Sequence, residues 1–139
     1  MALDIKEMVD RAWETKSLDE IRDAAVSVLQ GISEAGQEAL QSVLNIKSVD
    51  DLANNKYVVN AQAIVNGSID NLKDAVDKAW ENKTLQEIAN AGLEALQGIS
   101  PEGAEKIREV LHVKTVQELA ENKHVKNAQE IVKNSGAAQ

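Results

Sequence analysis

Shifting the sequence by 67 residues lays it on itself without a gap, and 33 of the 64 pairs from Ile5/Leu72 to Ser68/Ser135 are identical. Trp13 falls on Trp80, Gly31 on Gly98 and Lys56 on Lys123. Gapless identity at that level marks an internal duplication. Two copies are fewer than an open solenoid needs, so the expected assembly is a closed pair with pseudo-two-fold symmetry. The expected boundaries are residues 1–67 for repeat one, 68–135 for repeat two and 136–139 for a fraying tail. Size favours a shared core: a chain of 139 residues buries about 70% of its unfolded surface, a half-length unit only about 60%.

Each copy reads as five helical segments. The first presents Ile5, Met8, Val9, Ala12 and Trp13 on one apolar face, matched by Leu72, Ala75, Val76, Ala79 and Trp80. Ser17-Leu18-Asp19-Glu20 and Thr84-Leu85-Gln86-Glu87 have the hydroxyl-x-x-glutamate spacing of a capping box. The second apolar face runs on through Ile21, Ala25, Val28 and Leu29, or Ile88, Gly92, Ala95 and Leu96, with the small residues Ala25 and Gly92 suited to close helix packing.

Leu29-Gln30-Gly31-Ile32-Ser33 and Leu96-Gln97-Gly98-Ile99-Ser100 then read as hairpins. Glycine can leave a helix through a left-handed conformation, serine caps the next helix, and Pro101 suits its first position. Ser48 and Thr115 cap a fourth, short segment, and Asn55 and Asn122 break into a fifth that carries Val58, Ala61, Ile64 and Val65, or Val125, Ala128, Ile131 and Val132. Nothing alternates with period two, so the fold class is all-α.

Composition removes several functions. There is no cysteine, hence no disulfide, thiolate metal site or cysteine nucleophile. No apolar run reaches the roughly 18 residues of a membrane span, and the first residues lack the basic start and apolar stretch of a signal peptide. A cytoplasmic location is the default expectation. The net charge is −8, and both copies are acidic, which disfavours broad contact with a phosphate backbone. The core must be Leu, Ile, Val and Ala, because Trp13, Tyr57 and Trp80 are the only aromatic residues.

The run Leu96-Gln97-Gly98-Ile99-Ser100-Pro101-Glu102-Gly103-Ala104-Glu105-Lys106-Ile107, followed by Val113-Lys114-Thr115-Val116-Gln117-Glu118-Leu119-Ala120, resembles a helix-hairpin-helix motif. Copy one shows the same order from Leu29 to Leu40 and Ile46 to Ala53. The resemblance implies two tandem five-helix units of that kind. It also implies phosphate contacts through hairpin backbone N–H groups and nearby lysines, which here would be Gly31 and Ser33, Gly98 and Ser100, with Lys106 and Arg108. The chain departs from the motif where serine replaces the second hairpin glycine and where Glu34 and Glu102 follow it.

Trp13 and Trp80, with Tyr57 and His124, are the candidates for a hydrophobic pocket or partner groove. His112 and His124 have no metal-ligand spacing, and no metal or other cofactor is expected. No nucleophile–base set and no glycine-rich phosphate loop occurs in the sequence. The expected function is therefore a non-enzymatic interaction module, monomeric or homodimeric, binding a protein partner or a small apolar ligand between the repeats. Nucleic-acid binding through the hairpins is the alternative.

Overall fold

The computed structural model describes residues 5–69 and 72–135; the expected tail, 136–139, lies outside them. The described chain is all-helical, with no strand among the described residues. Its helices are α1 (Ile5–Met8), α2 (Leu18–Asp23), α3 (Glu34–Leu44), α4 (Val49–Asn54), α5 (Lys56–Asn66), α6 (Leu72–Ala75), α7 (Leu85–Ala89), α8 (Pro101–Leu111), α9 (Val116–Ala120) and α10 (Lys123–Asn134).

Two segments expected to be continuous helices are broken. After α1, Val9 pairs with Leu29 in an isolated antiparallel bridge, and the chain resumes as a 3₁₀ turn at Arg11–Trp13. Asp10 N–H donates to Val28 O at 2.8 Å and Gln30 N–H to Met8 O at 2.9 Å. A four-residue helix is too short to hold itself, so pairing to a distant backbone wins.

The second break follows α2, where Ala24 and Ala25 are extended. Ala25 bridges Ser48, and a 3₁₀ turn follows at Val26–Val28. The second copy repeats both breaks, with bridges Val76–Leu96 and Gly92–Thr115 and 3₁₀ turns at Lys78–Trp80 and Leu93–Ala95. Ala25 and Gly92 are thus small where backbone meets backbone, not where helix meets helix.

The expected caps form. Ser17 and Thr84 each accept from the N–H three residues on, at 3.1 and 3.0 Å, and Glu20 and Glu87 return the bond. Ser33 and Ser100 cap α3 and α8 by accepting from Gly36 and Gly103 N–H, both at 3.0 Å. Asn45 and His112 end those helices in the left-handed region, at φ 62° and 59°. Asn55 caps α5 by accepting from Tyr57 and Val58 N–H.

The chain divides into two compact units that do not coincide with its two copies. The first is the described part of Met1–Asn54 and Lys123–Gln139, the second that of Asn55–Asn122. In the first, α10 packs on α2 and α4; in the second, α5 packs on α7 and α9. Each unit therefore combines the early elements of one copy with the last helix of the other.

The connections explain why. Only Asn55 separates α4 from α5, and only Glu121 and Asn122 separate α9 from α10. Turning a helix back antiparallel onto its predecessor takes about two to five residues. A single residue cannot do it, so α5 runs on into another partner.

Both cores are aliphatic. Val125, Ala128 and Ile131 of α10 are fully buried in the first unit with Ile21, Leu40 and Leu52. Val58 and Ala61 of α5 are fully buried in the second, and Ile64 nearly so, with Ile88, Ile107 and Leu119. Burying a valine, leucine or isoleucine completely stabilises by about 1.5–3 kcal/mol, so the exchanged helices are integral to the units that receive them.

Candidate functional site

The two hairpins have one construction. Leu29 and Leu96 are fully buried, and Ile32 and Ile99 follow at 4% exposure, their N–H groups donating to Leu29 O and Leu96 O at 3.1 and 3.2 Å. Between them Gly31 and Gly98 take φ 99° and 100°, a conformation L side chains avoid. The buried isoleucine pins the turn and the serine starts the next helix.

The side chain that a Cβ on each glycine would meet comes from the other copy. A Cβ at Gly98 would stand 2.5 Å from the Tyr57 hydroxyl oxygen and 3.2 Å from Cε1 of the same ring. A Cβ at Gly31 would stand 3.0 Å from His124 Cε1 and 3.5 Å from Nε2. Tyr57 and His124 occupy corresponding positions in the first turns of α5 and α10, so each exchanged helix places a ring on the hairpin of the unit it enters. Tyr57 is half-buried and carries the Lys56 ammonium 5.1 Å from its ring centroid, within cation–π range. His124 is 4% exposed.

One further polar contact accompanies each ring. Gln62 Nε2 donates to Ala120 O, and Gln129 Nε2 donates to Ala53 O, both at 3.2 Å. These glutamines join the end of one copy's short fourth helix to the middle of the other copy's fifth. In the first unit Arg22 Nη1 also donates to the buried Ser135 hydroxyl at 3.2 Å.

The sequence candidates therefore fall into groups other than those expected. Tyr57 joins Gly98 beside Ser100, and His124 joins Gly31 beside Ser33. Trp13 and Trp80 are each half-buried at the end of a 3₁₀ turn, with the backbone N–H bonded to Asp10 O or Asp77 O at 2.8 Å.

Lys106 and Arg108 are exposed on α8, two residues apart and so on different faces of the helix. Arg108 forms an ion pair with Glu105. A shallow cleft of about 200 Å³ beside α8 sets Arg108 and Lys114 against Glu94 and Glu105. Another of about 360 Å³ runs along α10, lined by Lys126, Gln129, Glu130 and Lys133. The first also has Leu93, Pro101, Ala104 and Val113 in its wall, and both are open rather than the enclosed, predominantly apolar sites that small ligands favour.

Resolved charge perturbations sit at caps and ion pairs. The Ser17 N–H, then its hydroxyl, holds the Glu20 carboxyl below the usual glutamate range, and Thr84 does the same for Glu87. The Arg22 guanidinium lowers the Asp23 carboxyl by hydrogen bonding, and Asp23 raises Arg22 in return. No group of three or more His, Asp or Glu side chains able to hold a metal occurs among the described residues. No described helix is long and apolar enough to cross a membrane.

Periodicity could not reveal the pairing of Tyr57 with Gly98 and of His124 with Gly31. One signal does precede it: a helix-capping asparagine with a single non-helical residue between α4 and α5, leaving no length for a return. No protein-family model, curated protein or solved structure matches the chain.

Proposed function

We propose that the chain is a non-enzymatic helical interaction module, made of two helix-hairpin-helix-like repeats related by a pseudo-two-fold exchange of their fifth helices. It binds a protein partner, and Trp13 and Trp80 are its anchors. The observation that carries this reading is the half-burial of both tryptophans, the two largest apolar side chains of the sequence, at corresponding 3₁₀ turns. Tryptophan offers a large rigid face with a polar edge, and partly exposed examples concentrate binding energy at interfaces. Of the two occupants weighed, a protein partner fits better than a small apolar ligand, because the cleft along α10 is lined by charged and amide side chains and the one beside α8 sets four charged side chains among its apolar ones.

The test is affinity capture on the full chain against its native lysate, compared with Trp13→Ala, Trp80→Ala and the double variant. A specific protein retained by the wild type should bind at least tenfold more weakly to the double variant, the scale of a hot-spot loss. Undiminished capture by a double variant of unchanged helical content would refute the anchoring role.

A second reading, nucleic-acid binding, draws on the exposure of Gly98 and Ser100 and on Lys56 beside the tyrosine that covers the same hairpin. It requires affinity that falls steeply with salt and weakens on changing Lys106 and Arg108 to glutamate.

A further inference from the structure

α5 and α10 carry the same residue at seven corresponding positions: Lys56/Lys123, Val58/Val125, Asn60/Asn127, Ala61/Ala128, Gln62/Gln129, Ile64/Ile131 and Val65/Val132. They bury the same face, Val58, Ala61 and Ile64 in one and Val125, Ala128 and Ile131 in the other. Each is received by the same kind of surface: two short helices, a carbonyl bonded by the glutamine at 3.2 Å, and a positive-φ glycine under a ring. The receiving surface thus recognises a helix pattern, and the chain presents that pattern twice.

The two helices differ in how they are tethered. α5 follows a link of one residue, Asn55, whereas α10 is joined to α9 by two, Glu121 and Asn122. The surface of α2 and α4 has no means of distinguishing its own α10 from the α10 of another molecule, since every contact would be remade. A two-residue link is at the short limit for a return, and short hinges of this kind favour exchange between chains.

We infer that the α2–α4 surface, with its Gly31 hairpin, is an interaction surface for α10 of a second copy of this chain. Two molecules trade α10, and each first unit is completed by the partner chain's α10. The exchange is reciprocal and therefore closes as a dimer. Tethering favours the closed monomer up to protein concentrations near the effective concentration of a short link, on the order of 1 mM. Exchange must also wait for α10 to leave its seat, so dimers form on refolding at high concentration and persist on dilution.

The chain lacks cysteine, which allows a two-chain test. One full-length variant carries Arg22→Cys and another Ser135→Cys, at the two residues joined by the 3.2 Å hydrogen bond. The mixture is unfolded, refolded at about 1 mM or at about 10 µM, a hundredfold below the tether's effective concentration, and treated with a short bismaleimide. The expected result is a covalent heterodimer at the high concentration, at least tenfold less at the low one, and none from folded variants mixed briefly. Wild-type chain is refolded in parallel and sized by light scattering, so the outcome does not depend on either variant folding. Monomer alone at both concentrations in the wild type overturns the proposal. Dimer from folded variants without the 22–135 link also overturns it, because association then uses another surface or another helix.

Discussion

The second unit is one uninterrupted stretch of chain, Asn55–Asn122, whereas the first is closed by a helix that arrives from the far end of the sequence. Their inventories match: two bridges, two 3₁₀ turns, a capped hairpin and a received helix. The matching glutamine bonds are both 3.2 Å, spanning 58 residues in the second unit and 76 in the first. Loop-closure entropy makes that difference worth only a few tenths of a kcal/mol. The lesson is that equal contacts need not mean equal dependence on chain continuity.

The largest effect should come from ending the chain after Asn122. The first unit then loses its α10 while the second keeps every element. Hydrogen exchange should show amides of α2, α3 and α4 losing protection, with those of α7, α8 and α9 retaining it. Equal protection in both would break the comparison.

Next come the hairpin glycines. Gly98→Ala forces a side chain into φ 100° and against the Tyr57 hydroxyl at 2.5 Å, and should cost about 2–3 kcal/mol by denaturant midpoint. Gly31→Ala meets His124 Cε1 at 3.0 Å and should cost less, about 1–2 kcal/mol. A Tyr57→Phe background should recover part of the Gly98→Ala loss and none of the Gly31→Ala loss. Equal recovery would deny the ring-to-hairpin assignment.

Ser33→Ala and Ser100→Ala should each cost about 1 kcal/mol, because each removes one equivalent N-cap bond of 3.0 Å. A marked inequality would show that the two hairpins are not energetically alike.

The smallest effect concerns acid. Glu20 and Glu87 have carboxyl pKa values below the ordinary 4.5. Their contribution is complete above that value and is lost as pH falls through the lower folded-state pKa. The first unit has one more such group: Asp23, lowered from 3.8 by Arg22, where the second copy has Asn90. Thermal melts should therefore show the first unit losing slightly more stability below about pH 4, and Asp23→Asn should remove the excess.

Local chemistry was legible in the sequence because it is short-range. Caps at Ser17, Ser33, Asn55, Thr84 and Ser100 follow from hydroxyl or amide side chains at fixed offsets from free N–H groups, and the all-helical class from periodicity. The breaks at Val9 and Ala25 were not legible, since an amphipathic pattern continues through them and only a distant backbone partner interrupts it. The exchange of α5 and α10 was hidden by the duplication itself: when two helices share a pattern, sequence cannot say which groove takes which. For the same reason the placing of Tyr57 and His124 beside glycines of the opposite copy could not be read from the sequence.

The single residue at Asn55 also sets a timetable. Synthesis proceeds from the N-terminus, and domains usually mature in that order. Here the order is reversed. Everything the second unit needs has been made once Asn122 is added, but α2 and α4 still lack the helix that covers Ile21 and Leu52. The Arg22–Ser135 bond spans 113 residues and can close only after Ser135 has been made. Of the two units, the one whose synthesis begins first is the one finished last.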